Sequence, residues 1–132
     1  QMRREVERRM AALDLTDAQW KPLWLLASGR ADTGFEMARL LEMDAGAMTR
    51  LLDRLEGKGL LQRVRSAADR RVVHLRLTAA GQAAAARVPH VLAAVNNDFL
   101  QGFSEAEWLQ LRALLARLAD NGNALQPDRD AA

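Results

Sequence analysis

The sequence predicts a mainly α-helical fold with a small β-hairpin wing, a winged helix-turn-helix joined to a helical dimerisation bundle. Three observations predict it. Apolar residues recur at helical spacing through most of the 132 residues. Two short helical segments, the second opened by Asp44, are separated by a tight turn. The period then changes once, to two short β-branched stretches around a polar loop tipped by arginines.

Each element has its own signal. Val6, Met10 and Leu13 among charges predict a first helix over 2–13. Thr16-x-x-Gln19 reads as a capping box for a second helix to about Ser28, and Thr33-x-x-Glu36 as another, opening a short helix through Phe35, Ala38 and Leu41. Asp44 caps the next helix, and Gly59 ends it. Residues 61–65 and 72–77 read as strands around the loop 66–71. Thr78 opens a long helix to about Gln101, which Pro89 is expected to bend or divide. Ser104-x-x-Glu107 caps a last helix to about Ala119. The expected organisation is an N-terminal dimerisation helix over 1–15, a DNA-binding winged helix over 16–77, C-terminal dimerisation helices over 78–120 and a mobile tail over 121–132.

Composition narrows the chemistry. The length suits one domain. Without cysteine, disulfides, thiol redox sensing and cysteine-ligated zinc are excluded. Two histidines and no tyrosine offer no constellation of nucleophile, base and orienting group, so no enzymatic activity is expected. No His/Glu pair at helical spacing suggests a metal site, and neither metal nor cofactor is expected. No apolar run approaches a membrane span and no signal-peptide pattern opens the chain, so the expected setting is the cytoplasm, with no membrane partner.

Charge is concentrated. The net is +2, and 17 of 19 basic residues are arginine. From Arg50 to Arg76, eight basic residues face three acidic ones. Such a block suits an anionic partner, and phosphate backbone is the usual one. On a helical projection of 44–58, Met48, Leu51, Leu52 and Leu55 share one arc. Gly46, Thr49, Arg50, Asp53 and Gly57 lie opposite, with Arg54 at the edge, so small residues let the helix approach a groove floor closely. Arg50 suits guanine O6 and N7. Backbone N–H groups at the helix starts, with Ala47 in the first turn and the Thr33 hydroxyl, suit phosphate oxygens. In the hairpin, Arg70 and Arg71 suit a minor groove, Asp69 can pair with a neighbouring arginine, and Arg63, Arg65 and Arg76 would add positive potential. A helix-turn-helix followed directly by such a hairpin points to double-stranded DNA.

The pieces LTDAQW (15–20), FEMARLL (35–41), MTRLLDRLEGKGLLQR (48–63) and SAADRRVVHLRLTAAG (66–81) resemble, in order and spacing, the MarR family of bacterial transcription regulators. The resemblance covers about half the chain. It implies a winged-helix homodimer on a pseudo-palindromic operator. It also implies that 44–58 is the recognition helix, with Thr49, Arg50 and Arg54 as contacts, and that Asp69 and Arg71 are the wing aspartate and wing-tip arginine. The family usually has more sequence before the end of its first helix than precedes Leu15 here, so an initiating segment ahead of Gln1 is expected.

Dimerisation is expected on physical grounds as well, since two copies about one helical turn apart read a palindrome. Trp108, Leu111, Leu114, Leu115 and Leu118 form a broad apolar stripe, and Val6, Met10 and Leu13 add to it; an intramolecular core is the alternative. Regulators that resemble this chain commonly respond to small aromatic acids or phenols. Candidate effector contacts are Trp20 and Trp24, four apart on one helix, and His90 beside Pro89. Two functions compete: a sequence-specific regulator, expected to repress, and an architectural protein that coats nucleic acid without specificity.

Overall fold

The computed structural model describes residues 1–125, and the chain divides into two compact units, Gln1–Asn96 and a second from Asn97 onward. The elements run α1 (Met2–Ala11), α2 (Asp17–Ala27), α3 (Gly34–Leu40), α4 (Ala45–Gly57), β1 (Leu61–Arg65), β2 (Val73–Leu77), α5 (Ala79–Phe99) and α6 (Glu105–Ala124).

Local chemistry sets the ends of these elements. Ahead of α3, Thr33 Oγ1 accepts from the Glu36 N–H at 3.2 Å, while Glu36 Oε2 accepts from the N–H groups of Asp32 (2.7 Å) and Thr33 (3.3 Å). Ser104 and Glu107 repeat the exchange ahead of α6. At α2 the Gln19 side chain accepts from the Thr16 N–H at 3.1 Å. Asp44 Oδ1 caps α4 by accepting from the Ala47 N–H at 2.8 Å. The far end of α4 closes as a Schellman motif. Gly59 takes φ +71°, its N–H donates to Glu56 O, and the Leu60 N–H reaches back to Leu55 O.

The hairpin pairs Leu61 with Leu77, Arg63 with Leu75 and Arg65 with Val73, so these six residues share one face. A third edge, which no sequence pattern announced, lies beside β2. Thr33 bridges His74, and the Leu75 N–H donates to Asp32 O at 2.8 Å. The segment before α3 thereby holds the wing against the helix-turn-helix.

Two apolar clusters fill the first unit. One joins Leu25, Ala31, Met37, Met48, Leu51, Leu52, Leu55, Leu61 and Leu75. The other joins Met10, Leu15, Trp20, Leu23, Ala85 and Val88, with Val6 and Leu13 packed against it.

Several expectations are corrected here. Met10 is fully buried in the core of its own subunit, because α1 folds onto α2, and it has no surface left for a dimer partner. Phe35, expected on the apolar side of α3, points outward and is 81% exposed. Pro89 does not divide α5, which runs unbroken to Phe99. The last helix continues past Ala119 through Ala124, so residues 121–124 of the expected tail are helical. The remainder of that tail, from residue 126, lies outside the described residues.

Candidate nucleic-acid interface

α4 carries its four large apolar side chains inward, with Met48, Leu51, Leu52 and Leu55 all buried. That seating turns Gly46, Thr49, Arg50, Asp53 and Arg54 outward, while Ala47 is half-buried in the first turn. Arg50 folds back along the helix, and its guanidinium passes 3.5 Å from where a Cβ on Gly46 would stand. Arg50 and Arg54 make no hydrogen bond or ion pair among the described residues. Thr49 donates its hydroxyl hydrogen to Ala45 O at 2.9 Å and keeps its oxygen lone pairs for an incoming donor.

The wing tip is ordered by its own hydrogen bonds. Ser66 Oγ accepts from the N–H groups of Ala68 and Asp69, and the Val72 N–H donates to Asp69 O. The Asp69 carboxylate accepts from the Arg71 N–H at 3.0 Å and from two guanidinium nitrogens of Arg71 at 3.2 Å. The Arg71 side chain nonetheless stays 91% exposed. Hydrogen bonds from the Arg71 side chain first, and its backbone N–H second, hold the Asp69 carboxyl below its ordinary value of 3.8. A carboxylate shifted in that direction loses its clasp only as pH falls below the ordinary range. Arg65 donates to Arg70 O at 3.3 Å, bracing the loop, and Arg70 itself is exposed with no ion-pair partner among the described residues.

Not every expected contact is available. Arg63 donates to both Asp53 and Glu56 on α4, which hold its guanidinium still more firmly protonated. Arg76 pairs with Asp32 at 2.7 Å, beside His74 Nδ1 at 2.8 Å from the same carboxylate. These two arginines therefore contribute little free positive potential. The helix starts are partly engaged: the Asp44 carboxylate takes the Ala47 N–H, and the Glu36 carboxylate takes those of Asp32 and Thr33. Thr33 is half-buried, and its hydroxyl oxygen accepts from the Glu36 N–H in the cap of α3, which leaves its O–H hydrogen to donate. The pairings of Arg63 and Arg76 escape sequence reading because their partners lie 7 to 44 residues apart.

Arg63 neutralises two carboxylates of α4, Asp53 and Glu56. Without it, Asp53 and Glu56 would present uncompensated charge on the face of α4 that carries Arg50. Arg63→Ala is expected to cost no more than about 1 kcal/mol of stability, since the pairs are solvent-screened. It should weaken DNA binding several-fold, and Asp53→Asn with Glu56→Gln should recover part of that loss in a binding titration. Unchanged affinity in the single variant would remove this role.

The other predicted site residues fall elsewhere. A cleft of about 800 Å³ in the first unit is lined by Trp24, Asp32, Arg76, Gln82 and Pro89 among others. Of the three effector candidates, only Trp24 lines it. Trp20 is buried in the core, with its Nε1–H on Asp17, and His90 is exposed outside the lining. In the second unit, Trp108, Leu114, Leu115 and Leu118 are exposed along α6, Leu118 to 68%, and Leu111 is half-buried. Among the described residues no group of three or more His, Asp or Glu could hold a metal ion, and no helix is long and apolar enough to cross a membrane.

The MarR family model matches residues 15–73. Among solved structures, the chain is similar to the transcriptional regulator PA3341 at 34% identity, covering 93% of this chain and 90% of that one, with a TM-score of 0.72. It is similar to the reduced form of MarR from E. coli at 30% identity, with 87% and 85% covered and a TM-score of 0.76. It is also similar to a mutant E. coli MarR complexed with operator DNA, at 29% identity, 87% and 83% coverage and a TM-score of 0.69. With two relatives at 30% identity or more, each covered over more than four-fifths of its length, this chain belongs to the MarR family and is a winged-helix, DNA-binding transcription regulator, not an enzyme.

Proposed function

We propose that the chain works as a homodimer that binds a pseudo-palindromic operator sequence-specifically, represses transcription there and is released by a small aromatic or phenolic ligand. The unpaired guanidiniums of Arg50 and Arg54 carry this proposal. They project from a helix whose opposite side is fully seated, so the backbone that carries them is fixed before DNA arrives. Thr49 stands beside them, and Arg70 and Arg71 provide a second cationic point on the wing.

The exposed leucines of α6 favour a second copy of the chain as partner, because a contiguous apolar stripe of that kind is costly in water. A dimer supplies two recognition helices and makes a palindrome readable. The cleft beside Trp24 has the volume of a small-molecule site, and its wall joins the Trp24 ring to the paired Arg76 and Asp32, a mixed apolar and polar lining that suits a flat ligand with one polar group. An occupied cleft would act by favouring a wing placement that does not fit the operator.

Selection of the full chain against random-sequence DNA tests this proposal. The expected product is a pseudo-palindrome with half-sites about one helical turn apart and roughly a 10³-fold or greater preference over scrambled duplex. Sequence-blind binding that collapses steeply with salt would replace it with the architectural role. The selected duplex, challenged with benzoate and phenol, should dissociate, and indifference to both would leave repression without that release.

A further inference from the structure

Phe35 is the most exposed large apolar side chain described in the first unit. Its orientation is imposed by the packing of α3. Gly34 lies against Leu52, with only 3.3 Å between a would-be Cβ and that side chain, and Met37 is fully buried. Gly34, Met37, Ala38 and Leu41 thus take the inner face, which leaves Phe35 and, one turn on, Arg39 on the outer one. α3 is also held rigidly. Its capping box, the Thr33–His74 bridge and the cluster shared with α4 fix it to both the wing and the recognition helix. The backbone that carries the ring therefore keeps one position relative to α4.

In a helix-turn-helix the first helix crosses the DNA backbone while the second enters the major groove. The first turn of α3 attracts phosphate poorly, because the Glu36 carboxylate, itself an anion, sits over the Asp32 and Thr33 N–H groups there. What it does present is an apolar ring, next to a helix whose free cations can take the neighbouring phosphates. Deoxyribose is the apolar part of that backbone. We infer that Phe35 is an apolar anchor that packs on a deoxyribose at the lip of the groove entered by α4. The inference rests on the operator binding proposed above. It adds an uncharged positioning contact that holds the protein on the duplex without reading a base.

The test uses the full chain and the duplex recovered by selection. Phe35→Ala is expected to lower affinity about tenfold, since one partly covered ring is removed from each half-site. Phe35→Leu should retain most of the binding. The base preference recovered by selection and the slope of log affinity against log salt should both stay as in wild type, because every phosphate keeps its cation. The thermal midpoint should not move, because the side chain supports no core. Equal affinity in Phe35→Ala would overturn the inference, as would a lower midpoint or a shallower salt slope. Replacing thymine by deoxyuracil along the duplex completes the test. A loss seen in wild type but absent in Phe35→Ala would move the ring onto a thymine methyl and overturn the sugar assignment. If wild type selects no duplex, the operator reading itself fails; if wild type binds and Phe35→Ala binds equally well, only this inference does.

Discussion

Gly81→Ala is expected to destabilise the first unit by about 3 kcal/mol or more, the range of a buried steric conflict that cannot relax. A Cβ at this position would stand 1.8 Å from the Leu60 carbonyl oxygen and 2.9 Å from its carbon. Both atoms are backbone, so no side chain can swing aside. The same carbonyl accepts from the Thr78 N–H at 3.2 Å. The Thr78 hydroxyl donates to Gly59 O and accepts from the Gly81 N–H at 3.0 Å. The first turn of α5 is thus pinned onto the junction between α4 and β1, and moving it to admit a methyl group would break these bonds together. Gly57→Ala is the matched control. No atom lies within 4 Å of its would-be Cβ, and it sits in the last turn of α4, where alanine is favoured by up to about 1 kcal/mol. Urea unfolding followed by circular dichroism should move the two midpoints in opposite directions. A Gly81→Ala midpoint within error of wild type would show that the α4–β1 junction is far softer than its packing implies.

This contact also shows which features were legible in the sequence. Gly59 as a helix stop, Asp44 as a cap and the inward arc of α4 all follow from neighbours within four residues, where local chemistry leaves few alternatives. Gly81 carries no such mark, because its requirement comes from a carbonyl 21 positions away. Arg63 reads locally as one more cation on a strand. Only the register, which puts it on the face of Leu61 and Leu75, turns it toward Asp53 and Glu56. Phe35 escapes for another reason. α3 is seven residues long, too short for its apolar period to choose between a face that includes Phe35 and one built on Gly34 and Met37. Met10 likewise has a dimer-like spacing in α1 that cannot say whose core it fills, and the folding of α1 onto its own α2 decides that.

Arg50→Ala is expected to weaken operator binding by about 1–3 kcal/mol per half-site, and so by roughly twice that for a dimer occupying both. The argument begins with what the side chain lacks. Arg50 is exposed and has no partner among the described residues, so its removal breaks no intramolecular bond, and the variant should unfold as wild type does. Gly46 gives the guanidinium room to lie along α4 within about two turns of its start. Residues in that part of a recognition helix reach base edges. Two parallel bonds to guanine O6 and N7 need the planar fork, so Arg50→Lys should keep charge and salt dependence yet lose most of the base preference. Arg54 stands at the edge of the same face, where Arg54→Ala should weaken all sequences alike and reduce the salt slope by about one for each phosphate that the side chain neutralises. A selection profile separates the two outcomes. Arg50 reads a base only if its replacement relaxes one position in each half-site and leaves the others sharp. A uniform drop in affinity would assign it to the backbone and transfer base reading to Thr49 and the first turn of α4.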